Sequence, residues 1–483
     1  MIYQEIMMRD SMNQLADADR EPTEQTRQQF AYEALTEHFD GRSPEELISS
    51  QRQFPHHIRP ELQETLARLL SPFAPRLLGL NQAHERLPLT VSSLFVRSRG
   101  GMSEAVSLAP VKYRDVDVGN DTPVAVLDNG LWLIRDGDLK AAVVFEQHVE
   151  GRNTSISSVE IVSFPNARGL TFRDEVYASL EQAVRESRLY RGKVISIEAG
   201  EDYSGRAQAI VVHRLPAVSR HAVILSPETM QSIERNIFEF ALAREGLKAL
   251  HQSLQKGILL YGPPGTGKTH TIKYLASNLP GHTTLLISAD QVALLANYMQ
   301  LARLLQPSMV VIEDVDLIGR HRNEMRGPAE ESLLNRLLNE MDGLHQDAEI
   351  LFVLTTNRPE EIEEALSARP GRVDQAIEVP APDADCRTRL LQLYGAQMSI
   401  SSDVIAILVE QTEGVSAAFI KELVRRLAQQ SIARKAQGKI NMQDAENVLR
   451  DMLTQGGKLT HLLLGAAPER KNTQARTVSN QCF

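Results

Sequence analysis

The stretch Ile258-Leu259-Leu260-Tyr261-Gly262-Pro263-Pro264-Gly265-Thr266-Gly267-Lys268-Thr269 decides how this chain folds. An apolar run that reads as a buried strand enters a glycine-rich turn, and helical spacing resumes behind it. The turn fits G-x-x-x-x-G-K-[ST] in strand–turn–helix context, a pattern that cradles phosphate groups. Gly262, Gly265 and Gly267 let backbone N–H groups turn toward phosphate oxygens, with Pro263, Pro264 and Thr266 between them. The positive end of the following helix points at the same place. Lys268 supplies a charge to the β- and γ-phosphates, and Thr269 a hydroxyl to Mg²⁺. The alternative, a glycine-rich turn without a ligand, requires eight residues to match by chance in the right context.

Around this loop the sequence alternates buried strands with helices. Strands are expected at Ile258-Leu-Leu-Tyr, Thr284-Leu-Leu-Ile, Met309-Val-Val-Ile, Ile350-Leu-Phe-Val-Leu and Ala376-Ile-Glu-Val. Such alternation implies a five-stranded parallel sheet covered on both faces. Ser226-Pro227-Glu228-Thr229 reads as a helix start, the helix running toward Leu250. Residues 382–455 read as a small helical bundle, and the tail 456–483 is polar and reads as disordered.

Upstream, residues 1–85 read as helical, with apolar spacing over Gln28 to Phe39 and Arg59 to Leu70. Residues 87–215 read as a separate α+β module. Its expected strands are Val91 to Val96, Val124 to Leu127, Leu131 to Ile134, Ala141 to Phe145, Val194 to Ile197 and Ala209 to Val212, with a helix over Arg173 to Ser187. Asp128-Asn-Gly and Asp136-Gly-Asp are turn signals. The core that carries the phosphate loop is placed at 222–381.

Val310-Val-Ile-Glu313-Asp314 ends an apolar run in two acids. At the C-terminal end of a buried strand such a pair lies beside the phosphate loop. One carboxylate suits Mg²⁺, and the other suits polarising the attacking water. By position Glu313 takes the metal role and Asp314 the base role. A solvated acidic strand end, or a site that binds nucleotide without turnover, are the bland alternatives. Leu351-Phe-Val-Leu-Thr-Thr-Asn357 ends the next strand in a polar residue placed to orient water or the γ-phosphate. Ala365-Leu-Ser-Ala-Arg369-Pro-Gly-Arg372-Val-Asp374 holds two arginines three apart. Either reads as a trans-acting finger toward a neighbour's γ-phosphate. A trans finger requires a head-to-tail interface, which closes into a ring when the rotation permits. Each arginine alone reads more often as a surface ion pair worth little.

These motifs in this order resemble the AAA family, the AAA+ branch with the second region of homology. The residues that carry the resemblance are 262–269, 313–314, Leu333 to Gly343, Asn357, Ala365 to Asp374, Pro382-Asp383 with Arg387, and Gly414-Val-Ser-Ala417. The resemblance covers roughly 222–455. It implies a P-loop NTPase core with a C-terminal helical lid, ATP and Mg²⁺ as cofactors, and a homo-oligomer, a hexameric ring that couples ATP turnover to work on macromolecules. It places adenine contacts near Ser226 to Ile233 and makes Gly414 to Ala417 the second sensor. Family members order the acidic pair Asp-Glu. Here the order is Glu-Asp, which is similar to the mitochondrial inner-membrane chaperone that translocates the Rieske protein, although no membrane anchor of that kind stands in the first 200 residues. The aromatic-hydrophobic-glycine pore loop of the family is missing. Ile287-Ser-Ala-Asp-Gln-Val292 runs almost at once into a helix, Leu294 to Leu305, where Tyr298 reads as packing. Remodelling of a folded protein client or complex therefore fits better than threading.

The bulk numbers exclude several classes. The chain has 483 residues, 42% hydrophobic and 24% charged, with no run near the roughly 20 apolar residues of a membrane span. Net charge is −10, and residues 1–50 hold eleven Asp/Glu against four Lys/Arg. That balance argues against a nucleic-acid partner. Cys386 and Cys482 form no disulfide framework, which fits a reducing, cytoplasmic setting. His56-His57 lacks the company of a metal site, and Trp132 reads as a core aromatic. Arg320-His-Arg322 and Arg188 to Lys193 read as solvated basic runs, with a pore or client contact as the alternatives. Two other functions stay open: a nucleic-acid-linked ring ATPase and a nucleotide-gated scaffold without turnover. The client is not written in the motor motifs.

Overall fold

The structure is a computed structural model, which describes residues 29–81, 88–97, 105–150, 154–198, 209–288, 291, 294–320, 337, 339–341, 348–360 and 372–455. Arg369, His321-Arg322, the Ala365 to Ala368 run, most of Leu333 to Gly343, Cys482 and the tail 456–483 lie outside the described residues. The chain divides into two units. One comprises Met1–Val116, Val124–Glu186 and Glu201–Ala207, the other Asp117–Pro123, Ser187–Gly200 and Gln208–Phe483.

The first unit is built on an antiparallel sheet. Its strands are β1 (Ile48–Pro55), β2 (Arg76–Leu80), β3 (Leu108–Ala109), β6 (Gly130–Asp136), β7 (Leu139–Glu150) and β8 (Thr154–Ser163), in the order β1-β8-β7-β6-β2-β3. A separate hairpin pairs β4 (Tyr113–Val116) with β5 (Val124–Leu127). Helices α1 (Ala31–His38), α2 (Arg59–Leu70), α3 (Val91–Leu94) and α4 (Ala167–Glu186) complete it. Phe172, Val176, Tyr177 and Leu180 line one stripe of α4 and are buried, so the helix packs that stripe against α2, β7 and β8.

Several expectations change here. The region 1–85, read as helical, contributes two strands to the sheet. Val91 to Val96, read as a strand, starts as a helical turn, because Thr90 caps it by accepting the Ser93 N–H at 3.2 Å. Asp128-Asn-Gly joins β5 to β6, which do not pair with each other, whereas Asp136-Gly-Asp closes the β6–β7 hairpin.

The second unit carries a seven-stranded sheet in the order β10-β9-β12-β13-β14-β11-β15. Its strands are β9 (Val194–Glu198), β10 (Ala209–His213), β11 (Lys256–Tyr261), β12 (Thr283–Ile287), β13 (Ser308–Ile312), β14 (Ile350–Thr356) and β15 (Gln375–Glu378). The run from β12 to β15 is parallel throughout. β9 extends it in parallel against β12, and β10 closes the edge antiparallel. The sheet is therefore larger than five strands. The two extra strands, expected inside the 87–215 module, belong to this sheet, β9 by pairing with β12 and β10 by pairing with β9.

Every residue of β13 and β14 is buried, as apolar strands covered on both faces must be. Around them stand α5 (Pro227–Ile233), α6 (Lys268–Asn278), α7 (Leu295–Leu304) and α8 (Val315–Arg320). Ser226 caps α5 by accepting the Thr229 N–H, and a π-helical turn, Glu234–Glu239, follows it. Tyr298 is fully buried in α7, and its hydroxyl accepts the Ile197 N–H at 2.7 Å. It packs the sheet edge.

A C-terminal helical group follows: α9 (Ala384–Tyr394), α10 (Ser402–Gln411), α11 (Ala417–Ala433) and α12 (Met442–Arg450). Leu391, Leu408, Phe419, Leu423 and Leu427 form the centre of its own apolar core. Arg387 ties α9 to its neighbours by donating to Pro382 O at 2.9 Å and Val409 O at 3.0 Å. Between the two cores, Val223 and Leu225 face the sheet core while Ile224 packs on the helical group. Among the described residues no helix is long and apolar enough to cross a membrane.

Candidate functional site

The loop 262–267 leaves the C-terminal end of β11, between β14 and β15, where an open α/β sheet forms its ligand crevice. Gly262 takes φ +146°, and a Cβ there would stand 2.2 Å from Val379 O. Only glycine fits. Gly265 takes φ +76°, and a Cβ would meet the Ser416 hydroxyl and the Ala418 methyl at 3.0 Å. The loop thus touches the start of α11 directly, and the Ala418 N–H donates to Gly265 O at 3.0 Å. Ser416 caps α11 by accepting the Phe419 N–H at 3.1 Å. Pro263 and Pro264 are exposed, Thr266 is buried with its hydroxyl on Pro263 O, and Thr269 is exposed at the head of α6.

Lys268 is 7% exposed. Its ammonium donates to Gly262 O at 2.7 Å and Pro263 O at 2.9 Å, so the loop closes on its own cation. Burial pulls its pKa down to about 8, with the carboxylates of Asp314 and Asp316 pulling the other way.

The acids stand at the end of β13, one strand removed from β11. Glu313 is half-buried, and its N–H donates to Ile287 O at 3.1 Å. Asp314 turns the chain into α8 with φ +50°, a left-handed conformation that aspartate tolerates better than glutamate. That is a local reason for the shorter acid at this position. The Asp314 N–H donates to Thr355 Oγ1 at 3.0 Å. Asn357, at the end of β14, donates through its carboxamide to Asp314 Oδ1 at 2.9 Å. Lys268, the acidic pair and Asn357 therefore converge on one edge of the sheet, as three motifs spread over about ninety residues of sequence.

Arg372 lies elsewhere. Its carbonyl packs on Gly257, where a Cβ would be 2.1 Å away, and Asp374 holds the Gly257 N–H at 2.7 Å. Gly257 begins β11 and Gly262 ends it, about 16 Å apart at strand rise. Arg372 belongs to the end of the sheet remote from its own phosphate loop.

The fit to a magnesium nucleotide rests on these residues: positive-φ glycines in an open turn, a desolvated lysine that spends its donors on exchangeable carbonyls, and an exposed threonine hydroxyl. Among the described residues no group of three His, Cys, Asp or Glu could hold a metal alone. The sequence reading missed Asp316, Thr355 and Thr356, which hold this edge together. The spacing Glu313-Asp314-Val315-Asp316 was the available signal.

Residues 258–381 match the family described as ATPase family associated with various cellular activities (AAA). The chain is similar to the ATP-dependent zinc metalloprotease FtsH of Thermus thermophilus, with 30% identity over 55% of this chain and 44% of that protein. It is similar to the proteasome-activating nucleotidase of Methanocaldococcus jannaschii, with 30% identity over 52% of this chain and 61% of that protein. The cell division cycle protein 48 homolog of Archaeoglobus fulgidus is 34% identical over 37% of this chain and 26% of its own length. The chain spans less than two thirds of each of these relatives.

Proposed function

From the premise that residues 258–381 are an AAA ATPase domain, we propose that this protein hydrolyses ATP in a homo-oligomeric ring and spends the energy on remodelling a protein client or complex. The convergence of Lys268, Glu313, Asp314 and Asn357 on one sheet edge carries the reading. Lys268 leaves its two carbonyls for the β- and γ-phosphates, and Thr269 and Glu313 would hold Mg²⁺, which would supply neutralisation of the phosphate charge. Asp314 accepts a proton from water as the water oxygen bonds the γ-phosphorus. The bond from that phosphorus to the β–γ bridging oxygen breaks, leaving ADP and phosphate. Asn357 aims Asp314 and the water.

The remote position of Arg372 favours action in trans on a neighbour's nucleotide, with Arg369 as its companion. The C-terminal helical group, touching the loop at Gly265, serves as a lid that senses nucleotide. The names of two relatives, a protease and a proteasome-activating nucleotidase, favour protein over nucleic acid as the object of the work. The first unit, which carries none of the nucleotide motifs, is the candidate for choosing the client in a cytoplasmic setting.

A mixing experiment tests the ring. Lys268→Ala subunits bind no ATP yet keep their arginines; Arg372→Ala subunits bind ATP yet lack a finger. Each alone should be inactive, a finger being worth about 10³–10⁵ in rate. Mixed, they should regain turnover at the interfaces where an intact arginine meets an intact loop. Mixtures that stay as inactive as their parts, with chains that stay monomeric at saturating ATP, would remove the ring and the trans arginine together.

A further inference from the structure

Asp316 sits in the first turn of α8 and is 4% exposed. Desolvating a carboxylate is costly unless donors compensate it. Here they come from the end of β14. Asp316 Oδ1 accepts the Thr356 hydroxyl at 2.8 Å and the backbone N–H of Asn357 at 3.3 Å. The Thr356 oxygen in turn accepts the Arg358 N–H at 2.9 Å. Three consecutive residues, Thr356 to Arg358, are thus pinned directly or through one hydroxyl to a single carboxylate oxygen.

The turn carrying Asp316 also carries Asp314, whose carbonyl accepts the Leu317 N–H at 2.9 Å. From β14, Thr355 holds the backbone of Asp314 and Thr356 holds the side chain of Asp316. Successive strand residues point to opposite faces, so the two hydroxyls grip this turn from two sides. The carboxamide of Asn357 closes the circuit on Asp314.

We propose that Asp316 is a positioning residue: it fixes the backbone of Asn357 and so aims the carboxamide at Asp314. The proposal rests on the reading of Asp314 and Asn357 as the pair that activates water. Its reach to the site runs through Thr356 and the Asn357 backbone. A sub-ångström error in aim is its lever, since misplacement of about 1 Å costs roughly 10²-fold in rate.

The test uses the full chain, with kcat from phosphate release, ATP affinity from a fluorescent nucleotide, and thermal melts for folding. Asp316→Ala should lower kcat by about 10- to 100-fold with affinity within about threefold. Asp316→Asn, which keeps an acceptor oxygen for both donors, should restore most of kcat. Asp316→Ala added to Asn357→Ala should cost little more than Asn357→Ala alone, because one acts through the other. Should Asp316→Ala fail to fold, Thr356→Val cuts the same bond from the other side and should show the same loss of kcat at retained affinity. The proposal is overturned by wild-type kcat in Asp316→Ala or Thr356→Val, by full additivity with Asn357→Ala, or by a folded Asp316→Asn as slow as the alanine variant. Asp314→Asn and Asn357→Ala separate the two layers. Wild-type turnover in both sinks the water-activating reading and this inference with it. Stalled turnover in both, with Asp316→Ala and Thr356→Val unaffected, sinks this inference alone.

Discussion

Lys268 in the phosphate loop and Arg59 in the first unit are both buried cations facing backbone carbonyls, yet they are built for opposite ends. Arg59 donates to Leu127 O at 2.9 Å, Asp128 O at 2.6 Å, Glu146 O at 2.8 Å and Ser157 Oγ at 3.1 Å, and its guanidinium lies 3.8 Å over the Phe145 ring. Nearly every donor of the fork is spent on fixed partners in β7, β8 and the β5–β6 turn. Burial works against its charge, but a guanidinium stays protonated, so the arrangement is a permanent lock. Lys268 spends two donors on carbonyls of its own flexible-type loop, beside an exposed hydroxyl. A compact ammonium on a long stem exchanges such partners for phosphate oxygens. Burial of a cation by itself thus says nothing of function; what separates the two is whether its partners are rigid and complete.

The sharpest way to break this comparison is to delete each cation. Lys268→Ala should weaken ATP binding by about 100-fold or more, since the lysine is the loop's only direct charge on the phosphates, while the first unit's melting is unchanged. Arg59→Ala should do the reverse. Leaving the carbonyls and Glu146 without their cation should cost the first unit about 3–5 kcal/mol, with ATP affinity within about threefold. Denaturant melts followed by Trp132 fluorescence and nucleotide titrations read both arms. Loss of ATP binding in folded Arg59→Ala would erase the distinction.

A second, smaller effect concerns pH and the lysine. The free loop holds Lys268 near 8, and phosphates around it favour the protonated form. Binding therefore takes up a proton once the pH exceeds about 8. Affinity for MgATP should be flat from pH 7.5 to 8 and weaken by up to about tenfold per pH unit above that. A flat titration to pH 9.5 would show that Lys268 keeps its proton in the free loop.

The smallest expected effect lies in the first unit. Burial pulls His56 down to about 3 and His57 to about 4. Both are held neutral in the folded state and protonate near 6.5 when unfolded. The unfolded state binds more protons below pH 6.5, so stability present above that pH should drain away as the pH falls toward 4. Both residues are only half-buried as a whole, which makes the loss modest. His56→Gln and His57→Gln together should flatten the pH dependence of the melt between 6.5 and 4.5; an unchanged slope would place it elsewhere.

What the sequence revealed follows the same division between local and distant chemistry. The phosphate loop is legible because eight consecutive residues carry its whole geometry. The strands β13 and β14 are legible because both faces are buried and nearly every residue is apolar. Asp316 is not, because a carboxylate two residues past an acidic pair reads as a helix-start acid, and its partners stand forty residues on. β9 and β10 fall beside the first unit in sequence, but β9 pairs with β12 about ninety residues later and carries β10 with it, a choice no local pattern records. β1 is an edge strand whose consecutive exposed residues, Gln51 to Gln53, break the period-2 signal. Arg59 hides inside a helix that was read correctly, as one more charged residue on an apparently ordinary face.

The most direct test of the central claim is single-turnover phosphate release from the full chain, wild type against Asp314→Asn, at ATP concentrations that saturate both. The account predicts equal nucleotide affinity and a release rate about 10²- to 10⁴-fold lower in Asp314→Asn. Equal release rates in the two proteins, or a wild type that binds MgATP and assembles without releasing phosphate, would contradict it.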